Sequence, residues 1–168
     1  MFPAPRFQIA HIGLGSNLED PVLQVRRGIE ELGRLPRTCL LACSSLYRTA
    51  PVGKLDQPDF VNAVAVLDTE LSPRALLQEL LAVEARHGRV RGEPNGPRTL
   101  DLDLLLLGER IIREPGLEVP HPRMHQRAFV LLPLAELSPD TVIPGRGSVA
   151  ELVAQVPAQR VTRIDGKG

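Results

Sequence analysis

The stretch GPRTLDLDLLLLG, residues 96–108, decides both the fold and the candidate site of this chain. In a β-strand successive side chains point to opposite faces, so Asp101 and Asp103 share one face while the alternating leucines occupy the other. The two carboxylates then stand about 7 Å apart, given a rise of roughly 3.3 Å per residue. An α-helix would separate them by about 200°, at roughly 100° per residue. The two aspartates are therefore partners only if the stretch is a strand.

Two interpretations of the aspartate pair remain open from the spacing alone. Like charges that close, beside an apolar core, repel each other unless a cation lies between them. Mg²⁺ suits such a pair, because it prefers one or two carboxylates completed by substrate phosphates. The same pattern also fits an edge strand whose aspartates face water. Arg98, behind a Gly-Pro turn, favours the phosphate interpretation because arginine makes bidentate phosphate contacts, although it also fits a solvated loop.

Length and composition predict one compact domain over residues 1–168. The chain has 43% hydrophobic residues, enough for a sizeable core. Its 20 basic and 20 acidic residues cancel, which leaves no overall field to attract nucleic acid or an anionic membrane. No stretch approaches the ~18 apolar residues of a membrane span, and no targeting segment is evident. We therefore expect a cytoplasmic protein that binds neither nucleic acid nor membrane. We also expect a monomer with small-molecule partners.

The hydrophobic pattern predicts an α+β fold of the ferredoxin-like type. Strand patterns alternate with helix patterns in the order strand, helix, strand, strand, helix, strand, which is the βαββαβ arrangement. We expect a largely antiparallel sheet with helices packed on it in three layers, αβα. The strand that follows residue 108 is expected to pair with the strand that carries Asp101 and Asp103. The predicted strands cover residues 7–14, 38–47, 60–67 and the stretch after 98, and the predicted helices cover residues 20–35, 72–87, 126–137 and 149–156.

Two cysteines and two loops complete the local predictions. Cys39 and Cys43 lie four residues apart in a predicted strand, so we expect both on one face, buried in the core rather than in a metal or redox site. The loops at residues 49–58 and 88–97 are longer than usual, and the second carries Arg89 and Arg91, which suggests a lid. The segment GLGSNL, residues 13–18, fails the dinucleotide fingerprint because Leu18 stands where Gly or Ala is needed.

Five segments of the chain together resemble the 6-hydroxymethyl-7,8-dihydropterin pyrophosphokinase (HPPK) family. Beside GPRTLDLDLLLLG these are IGLGSNL, SSLYRTAPVG with QPDFVNAV, VEARHGRVR and VPHPRMHQRAFVLLPL, in the family's order over residues 9–137. The resemblance implies a magnesium-dependent diphosphotransferase of folate biosynthesis. Such a kinase transfers pyrophosphate from ATP to 6-hydroxymethyl-7,8-dihydropterin and releases AMP and the pterin pyrophosphate.

The resemblance also implies roles for individual residues. Asp101 and Asp103 would hold two Mg²⁺ ions on the ATP phosphates, and Arg89 and Arg98 would contact the phosphates as catalytic residues. The pterin would lie flat between two phenylalanines, with an asparagine and a backbone segment at its polar edge. The implied ATP-binding residues are Glu84, Arg91, Leu104, His121 and Arg127, and the implied pterin-binding residues are Thr49, Pro51, Val52, Gly53, Phe60, Asn62 and Phe129.

Reasoning from the residues alone is less specific about these positions. Without the resemblance, Phe60 and Phe129 are better interpreted as ordinary core residues. His121 between two prolines fits a surface corner equally well. Asn62 is more informative, because a buried amide in an apolar strand needs hydrogen-bond partners that a polar ring can supply.

Two other functions remain open. One is another two-metal phosphoryl or nucleotidyl transferase, since such chemistry needs positioning and charge neutralisation more than a covalent catalyst. The other is a ferredoxin-like RNA-binding or regulatory module, since a fold does not fix a function. RNA binding favours a basic face with exposed aromatic residues, and this chain has zero net charge, four Phe, one Tyr and no Trp.

Overall fold

The computed structural model describes residues 7–51, 56–88, 99–156 and 160–164. Strands and helices follow one another in the predicted order, and β5 is followed by two short hairpins, two helices and a last strand. They are β1 (Gln8–Ser16), α1 (Pro21–Leu32), β2 (Thr38–Cys43), β3 (Tyr47–Thr49), β4 (Phe60–Thr69), α2 (Pro73–Arg86), β5 (Asp101–Leu107), β6 (Ile112–Glu114), β7 (Leu117–Val119), α3 (Ala128–Leu137), β8 (Val142–Ile143), β9 (Gly147–Ser148), α4 (Val149–Gln155) and β10 (Val161–Arg163).

The two long helices begin where their cap chemistry predicts. The Asp20 carboxylate accepts a hydrogen bond from the Leu23 amide at 3.4 Å, and Pro21 opens α1. The Ser72 hydroxyl likewise accepts from the Ala75 amide at 3.2 Å, ahead of α2. A side-chain oxygen satisfies one of the amides that the first turn leaves without a partner, and proline lacks the amide that this turn cannot use.

The main sheet is antiparallel, with the strand order β10-β3-β4-β1-β5. Strand β2 also pairs with β4, so β2 and β3 follow one another along the same neighbour. Strand β1 lies between β4 and β5, which places the aspartate strand last in this order among the described strands. The predicted ferredoxin-like βαββαβ arrangement is confirmed.

Helices cover both faces of the sheet and define two cores. On one face α1 and α2 enclose a cluster that includes Leu14, Leu76 and Leu100. On the other face α3 and α4 enclose a second cluster that includes Val64 and Leu131. Each fully buried leucine contributes about 1.5–3 kcal/mol through removal of its side chain from water. The expected three-layer αβα architecture is therefore confirmed.

A bulge in β5 changes which leucines face which core. His11 of β1 pairs with Leu106 and Ile12 pairs with Leu104, so the register shifts at this point. The extra residue, Leu105, joins Leu106 in the cluster on the α3 face, while Leu107 lies in the cluster on the α1 face. Strict alternation therefore holds only as far as Leu105, because Leu106 lies on the same face as Leu105.

Two predicted strands differ from the observed ones. The predicted strand over residues 38–47 is broken into β2 and β3, and the Ser44 hydroxyl at the break accepts a hydrogen bond from the Val64 amide at 2.9 Å. We expected β6 to pair with β5. Instead, β6 forms a separate two-stranded hairpin with β7. That prediction was wrong because Gly116 adopts a positive φ of 75° and turns the chain back on itself directly after β6.

The prediction that Cys39 and Cys43 are buried on one face was also wrong. Both are exposed. The register of β2 against β4 shifts between Leu40 and Ala42, so Cys39 pairs with Asp68 and Cys43 with Ala65. Partners an odd number of residues apart lie on opposite faces, so the cysteines do as well. None of the helices in the described part of the chain is long and apolar enough to cross a membrane.

Candidate functional site

The site is a row of residues across three adjacent strands, on the face of the sheet that α3 partly covers. Gly15 of β1 pairs with Asp101 of β5 on one side and with Asn62 of β4 on the other. One step further along, Gly13 pairs with Asp103. Because neighbouring strands are about 4.8 Å apart, the backbones of Asn62 and Asp101 are about 10 Å apart. The carboxylate pair and the amide therefore face the same space.

The two glycines leave this space open. A Cβ atom on Gly15 would lie 2.7 Å from the Asn62 Oδ1 atom, and one on Gly13 would lie 3.4 Å from Leu105 Cδ1. From the sequence these glycines were recognised only as part of a failed nucleotide fingerprint and of the segment IGLGSNL, without this role. The signal was present, because glycines two residues apart in a strand lie on one face. Their partners across the sheet are set by pairing, which the sequence does not show.

Two contacts fix the outer edge of β5, where no described strand pairs. The Leu102 amide donates a hydrogen bond to Glu84 Oε2 at 2.7 Å. Further along, the His121 amide donates to the Leu105 carbonyl at 2.9 Å. Among the described strands, β5 is thus an edge strand, which is one feature of the edge-strand interpretation. Its outer edge is attached to α2 and to the corner that carries His121.

Basic side chains lie beside the carboxylates. The pKa of His121 is lowered to about 4 by burial and by the charge of Arg127, although Asp101 opposes the shift. Burial also lowers the pKa of Arg127, against the effect of the carboxylates of Asp103 and Asp101. Arg123, which sequence analysis missed, lowers the pKa of both groups through its own charge. A negative ligand placed here therefore meets guanidinium groups as well as the carboxylates.

The His121 ring is neutral near pH 7, and its tautomer follows from one contact. Its Nδ1 atom accepts a hydrogen bond from the Arg123 amide at 3.1 Å. The proton of the neutral ring therefore lies on Nε2, which leaves Nε2–H as a donor. His121 is suited to donate one neutral hydrogen bond rather than to supply a charge.

Asn62 has the partner that a buried amide needs. The side chain is 7% exposed and its Nδ2 atom donates to Thr49 Oγ1 at 2.7 Å. Thr49 is itself buried and pairs with Phe60 across the two strands. The bond fixes the amide with its Oδ1 atom toward the position that a Gly15 side chain would occupy. Two of the predicted pterin-binding residues therefore form one polar unit.

The two phenylalanines are half-buried rather than fully enclosed. Phe60 begins β4, and Phe129 lies in the first turn of α3, packed against the core on that face. The guanidinium of Arg127 lies 5.4 Å from the centre of the Phe129 ring, within the range of a cation–π contact. Pro51 is half-buried as well. Partial exposure leaves a ring face available, which a residue wholly in the core lacks.

Contacts outside the predicted set hold the surrounding segments in place. Asn17, 2% exposed and directly after β1, donates from Nδ2 to Gln57 Oε1 at 2.9 Å and to the Pro58 carbonyl at 3.0 Å. It therefore ties the described end of the first long loop to the end of β1. Sequence analysis did not assign Asn17 a role, because its partners lie about forty residues away.

A second tie joins α3 to β3. The Tyr47 hydroxyl donates to Glu136 Oε1 at 2.6 Å, and the Ser45 amide donates to Glu136 Oε2 at 2.9 Å. Burial and the neighbouring carboxylate raise the pKa of Tyr47 to about 12. Burial opposes ionisation of Glu136, but the hydrogen bonds from Tyr47 and Ser45 outweigh it and lower its pKa. The helix that carries Phe129 is thereby attached to the strands that carry Thr49 and Asn62.

Two predicted ATP-binding residues have buried side chains. Leu104 is 6% exposed and packs in the core on the α1 face, so only its backbone is left for a nucleotide. Glu84 is 3% exposed and bonded to the Leu102 amide. The remaining predicted site residues, Arg89, Arg91, Arg98, Val52 and Gly53, lie outside the described residues, as does the proposed lid after Gly88.

A cavity of about 300 Å³ lies next to the site rather than over the carboxylates. His121 is the residue that it shares with the site described above. Its other walls come from the β6–β7 hairpin, the proline corner and the turn between β8 and β9, with Ile112, Glu118, Pro144 and Arg146 among the lining residues.

This fold and site define a ferredoxin-like α+β protein that places a carboxylate pair beside guanidinium groups. The model of the family described as 7,8-dihydro-6-hydroxymethylpterin-pyrophosphokinase (HPPK) matches residues 11–139. The chain belongs to this family, and it is a pyrophosphokinase of folate biosynthesis. Members of the family use ATP as the co-substrate.

Two similar proteins have the corresponding name, and this chain aligns with nearly the whole length of each. The chain is 48% identical over 159 residues to the 2-amino-4-hydroxy-6-hydroxymethyldihydropteridine pyrophosphokinase of Pseudomonas aeruginosa, which covers 95% of this chain and 98% of that protein. It is 46% identical over 156 residues to the protein of the same name from Haemophilus influenzae, with 93% and 98% covered.

A solved structure confirms the fold. The Plasmodium falciparum HPPK-DHPS wild type with STZ-DHP has a TM-score of 0.72 and 14% identity, and the match covers 89% of this chain and 43% of that one. At this identity the likeness shows the fold alone, and the chain spans less than half of the larger protein.

Proposed function

We propose that the row formed by Asp101, Gly15 and Asn62 brings ATP and 6-hydroxymethyl-7,8-dihydropterin together for transfer of the pyrophosphoryl group. One observation carries this proposal: the carboxylate pair and the buried amide face the same space across a strand that has no side chain between them. The phosphate groups of ATP and the flat polar ring of the pterin need different partners. This row provides both kinds of partner, about two strand spacings apart.

Asp101 and Asp103 are proposed to hold two Mg²⁺ ions with the ATP phosphates. The donor set fits this ion, because two carboxylate oxygens on one face leave the rest of its coordination to phosphate and water. Bound there, Mg²⁺ neutralises the phosphate charge and polarises the reacting oxygens. Gly13 and Gly15 opposite the carboxylates keep side chains away from the phosphates.

The basic residues are proposed to bind the nucleotide. Arg127 supplies a charge beside Asp103, and His121 donates a neutral hydrogen bond from Nε2. Arg89 and Arg98 are assigned to the reacting phosphates, and Arg91 to the nucleotide, on the family pattern alone. The backbone of Leu104 completes the nucleotide contacts.

The pterin is proposed to lie between Phe60 and Phe129, with its polar edge toward Asn62. The Asn62–Thr49 hydrogen bond supports this, since it leaves Oδ1 of the amide as an acceptor for a ring N–H. The backbone from Pro51 through Val52 and Gly53 is assigned to the remaining edge.

In the proposed reaction the pterin hydroxymethyl oxygen attacks the β-phosphorus of ATP. The new bond joins that oxygen to the β-phosphorus, and the bond from the β-phosphorus to the bridging oxygen of the α-phosphate breaks. AMP leaves with the bridging oxygen, and the hydroxyl proton passes to solvent. The residues bind, orient and neutralise charge, which is what in-line phosphoryl transfer requires of a protein.

We also propose that residues 1–168 form a single domain that acts as a monomer on these small molecules in the cytoplasm, without nucleic acid. The six-stranded sheet, which joins β10 to strands from the first part of the chain, supports one domain. The zero net charge gives no general attraction for nucleic acid.

The test is the nucleotide product. The purified protein is incubated with ATP and 6-hydroxymethyl-7,8-dihydropterin, with Mg²⁺ or with a chelator, and the nucleotides are separated by chromatography. AMP formed only with Mg²⁺ and pterin is expected. ADP as the product, or no turnover, would overturn the proposal.

Two variants locate the metal site. Asp101→Asn and Asp103→Asn remove one charge each with little change of volume, and each is expected to lower kcat by about 100-fold or more. Asp140→Asn, at an exposed position beyond α3, serves as the matched control and is expected to keep full activity. Full activity in the double variant at 101 and 103 would refute the metal assignment.

A further inference from the structure

We propose that Glu84 is a positioning residue that orients Asp101 and Asp103 as a pair by holding the amide of the residue between them. The inference rests on the proposed function, since it concerns how that site binds its metal ions. It differs from the role that the family resemblance implies for Glu84, which is a contact with the nucleotide itself.

The geometry identifies the backbone amide of Leu102 as a partner of the Glu84 carboxylate. Its Oε2 atom accepts the Leu102 amide hydrogen bond at 2.7 Å, a short distance for an N–H donor. Residues in an antiparallel strand alternate between bonding inward and outward, so the amides of Asp101 and Asp103 point away from the edge at which Leu102 is held. The Glu84 side chain is 3% exposed, so the bond to the Leu102 amide is shielded from water.

The chemistry explains why a carboxylate stands there. Burial of a charged group costs free energy that only strong hydrogen bonds offset. A leucine at the same place on α2 would suit the surrounding core of Leu80 and Val83 at no such cost. The carboxylate provides a charged acceptor for an amide on the side of β5 where no described strand pairs. A hydrogen bond to a charged group contributes about 1.5–3 kcal/mol.

The position of this bond decides what it controls. Leu102 is the residue between the two aspartates, so rotation of its peptide planes would move both carboxylates. The next described contact at this edge is at Leu105, beyond the aspartates. Glu84 therefore sets the relative orientation of the pair, and its removal is expected to weaken metal binding before it affects the pterin.

The experiment compares Glu84→Leu with Glu84→Gln. The leucine removes the acceptor, whereas the glutamine retains an oxygen that can accept from the Leu102 amide. In Glu84→Leu we expect the Mg²⁺ concentration for half-maximal activity to rise at least tenfold, with the KM for pterin within twofold of the wild type. Glu84→Gln is expected to recover most of this loss. Glu79→Leu, on the same helix but outside the site, is the matched control and should change neither quantity.

The alternatives give different results. If Glu84 contacts the nucleotide, Glu84→Leu will weaken ATP binding measured by calorimetry in the presence of a chelator, and this outcome would overturn the inference. Unchanged Mg²⁺ dependence in Glu84→Leu would overturn it as well. If Glu84→Leu does not fold, hydrogen exchange of the Leu102 amide in the wild type and in Glu84→Gln decides: an amide that exchanges as fast as an exposed one in the wild type contradicts the bond.

Failure of this inference is distinguishable from failure of the proposed function. A wild type that forms no AMP refutes the function. An active wild type whose Glu84 variants keep its Mg²⁺ dependence refutes only the role of Glu84.

Discussion

At the scale of single residues, the site depends on side chains that are missing as much as on those that are present. Glycine inside a strand normally weakens it, because it adds backbone entropy to the unfolded chain and no packing to the folded one. Gly15 lies between Asn62 and Asp101, so it lowers the stability of β1 at this position. Any larger residue there would occupy the space that the side chains of Asn62 and Asp101 face. The strand loses some stability and retains an open surface.

Gly15→Ala tests this role. Its Cβ would lie 2.7 Å from Asn62 Oδ1, so the amide must move. We expect the KM for pterin to rise about tenfold, equivalent to about 1.4 kcal/mol, while ATP binding changes little. Steady-state kinetics with each substrate varied in turn measure both.

A double-mutant cycle serves as the control. Once Asn62→Ala has removed the amide, adding Gly15→Ala should cost much less than it does in the wild type, because the clashing atom is gone. Additive losses would show that Gly15 acts on something other than Asn62.

At the scale of secondary-structure elements, two ties assemble the site from parts that are far apart in sequence. Strand β5 is attached to α2 through Glu84, and α3 is attached to β3 through Glu136. Each tie uses a carboxylate that accepts from the backbone or a hydroxyl of a neighbouring element. Packing fixes how close the elements lie, whereas these directional bonds fix their register.

Tyr47→Phe tests the tie between α3 and β3. The substitution removes the hydroxyl that donates to Glu136 Oε1 at 2.6 Å and leaves the ring in place. We expect the free energy of unfolding to fall by about 1.5–3 kcal/mol, the range for a hydrogen bond to a charged group. Urea unfolding followed by circular dichroism measures it.

Glu136→Gln provides the comparison for this tie. If the bond to Tyr47 carries the effect, Tyr47→Phe should cost less in the Glu136→Gln background than alone. A loss below about 0.5 kcal/mol in the single Tyr47→Phe variant would contradict the tie, because it lies within the range of an ordinary surface substitution.

At the scale of the whole molecule, pH is expected to act on stability through a buried histidine. His11 of β1 is 7% exposed, and its Nδ1 atom has no hydrogen-bond partner among the described residues. Burial lowers its pKa from 6.5 to about 4. Because the folded pKa lies below the unfolded one, the unfolded chain binds the proton more tightly, and stability falls as pH falls from about 6.5 toward 4.

The size of this effect follows from the two pKa values. When the pH falls from about 7.5 to about 5, His11 is expected to lower the free energy of unfolding by about 2 kcal/mol. His11→Leu, which suits neighbours such as Val66 and Leu106, should remove this part of the pH dependence. Urea unfolding of the wild type and of His11→Leu at the two pH values measures how much stability each loses. Equal losses of unfolding free energy in the two proteins would contradict the role of His11.

Much of the architecture was predictable because its causes are local. Asp20 and Ser72 start helices through contacts within the first turn, and the spacing of apolar residues distinguishes strand from helix over a few positions. The break between β2 and β3 and the exposure of Cys39 were not predictable, because each depends on a partner strand. A bulge at Leu41 shifts the register of β2 by one residue, and nothing within the segment itself indicates it.

Local residue patterns were enough to predict the order of elements and to place Asp101 and Asp103 on one face, because side-chain alternation is a property of a single strand. That Gly15 separates this pair from Asn62, and that Glu84 accepts from the amide between the two aspartates, is seen only in the folded chain. The reason is physical: which strands become neighbours, and in what register, is set by packing between segments that are distant in the chain.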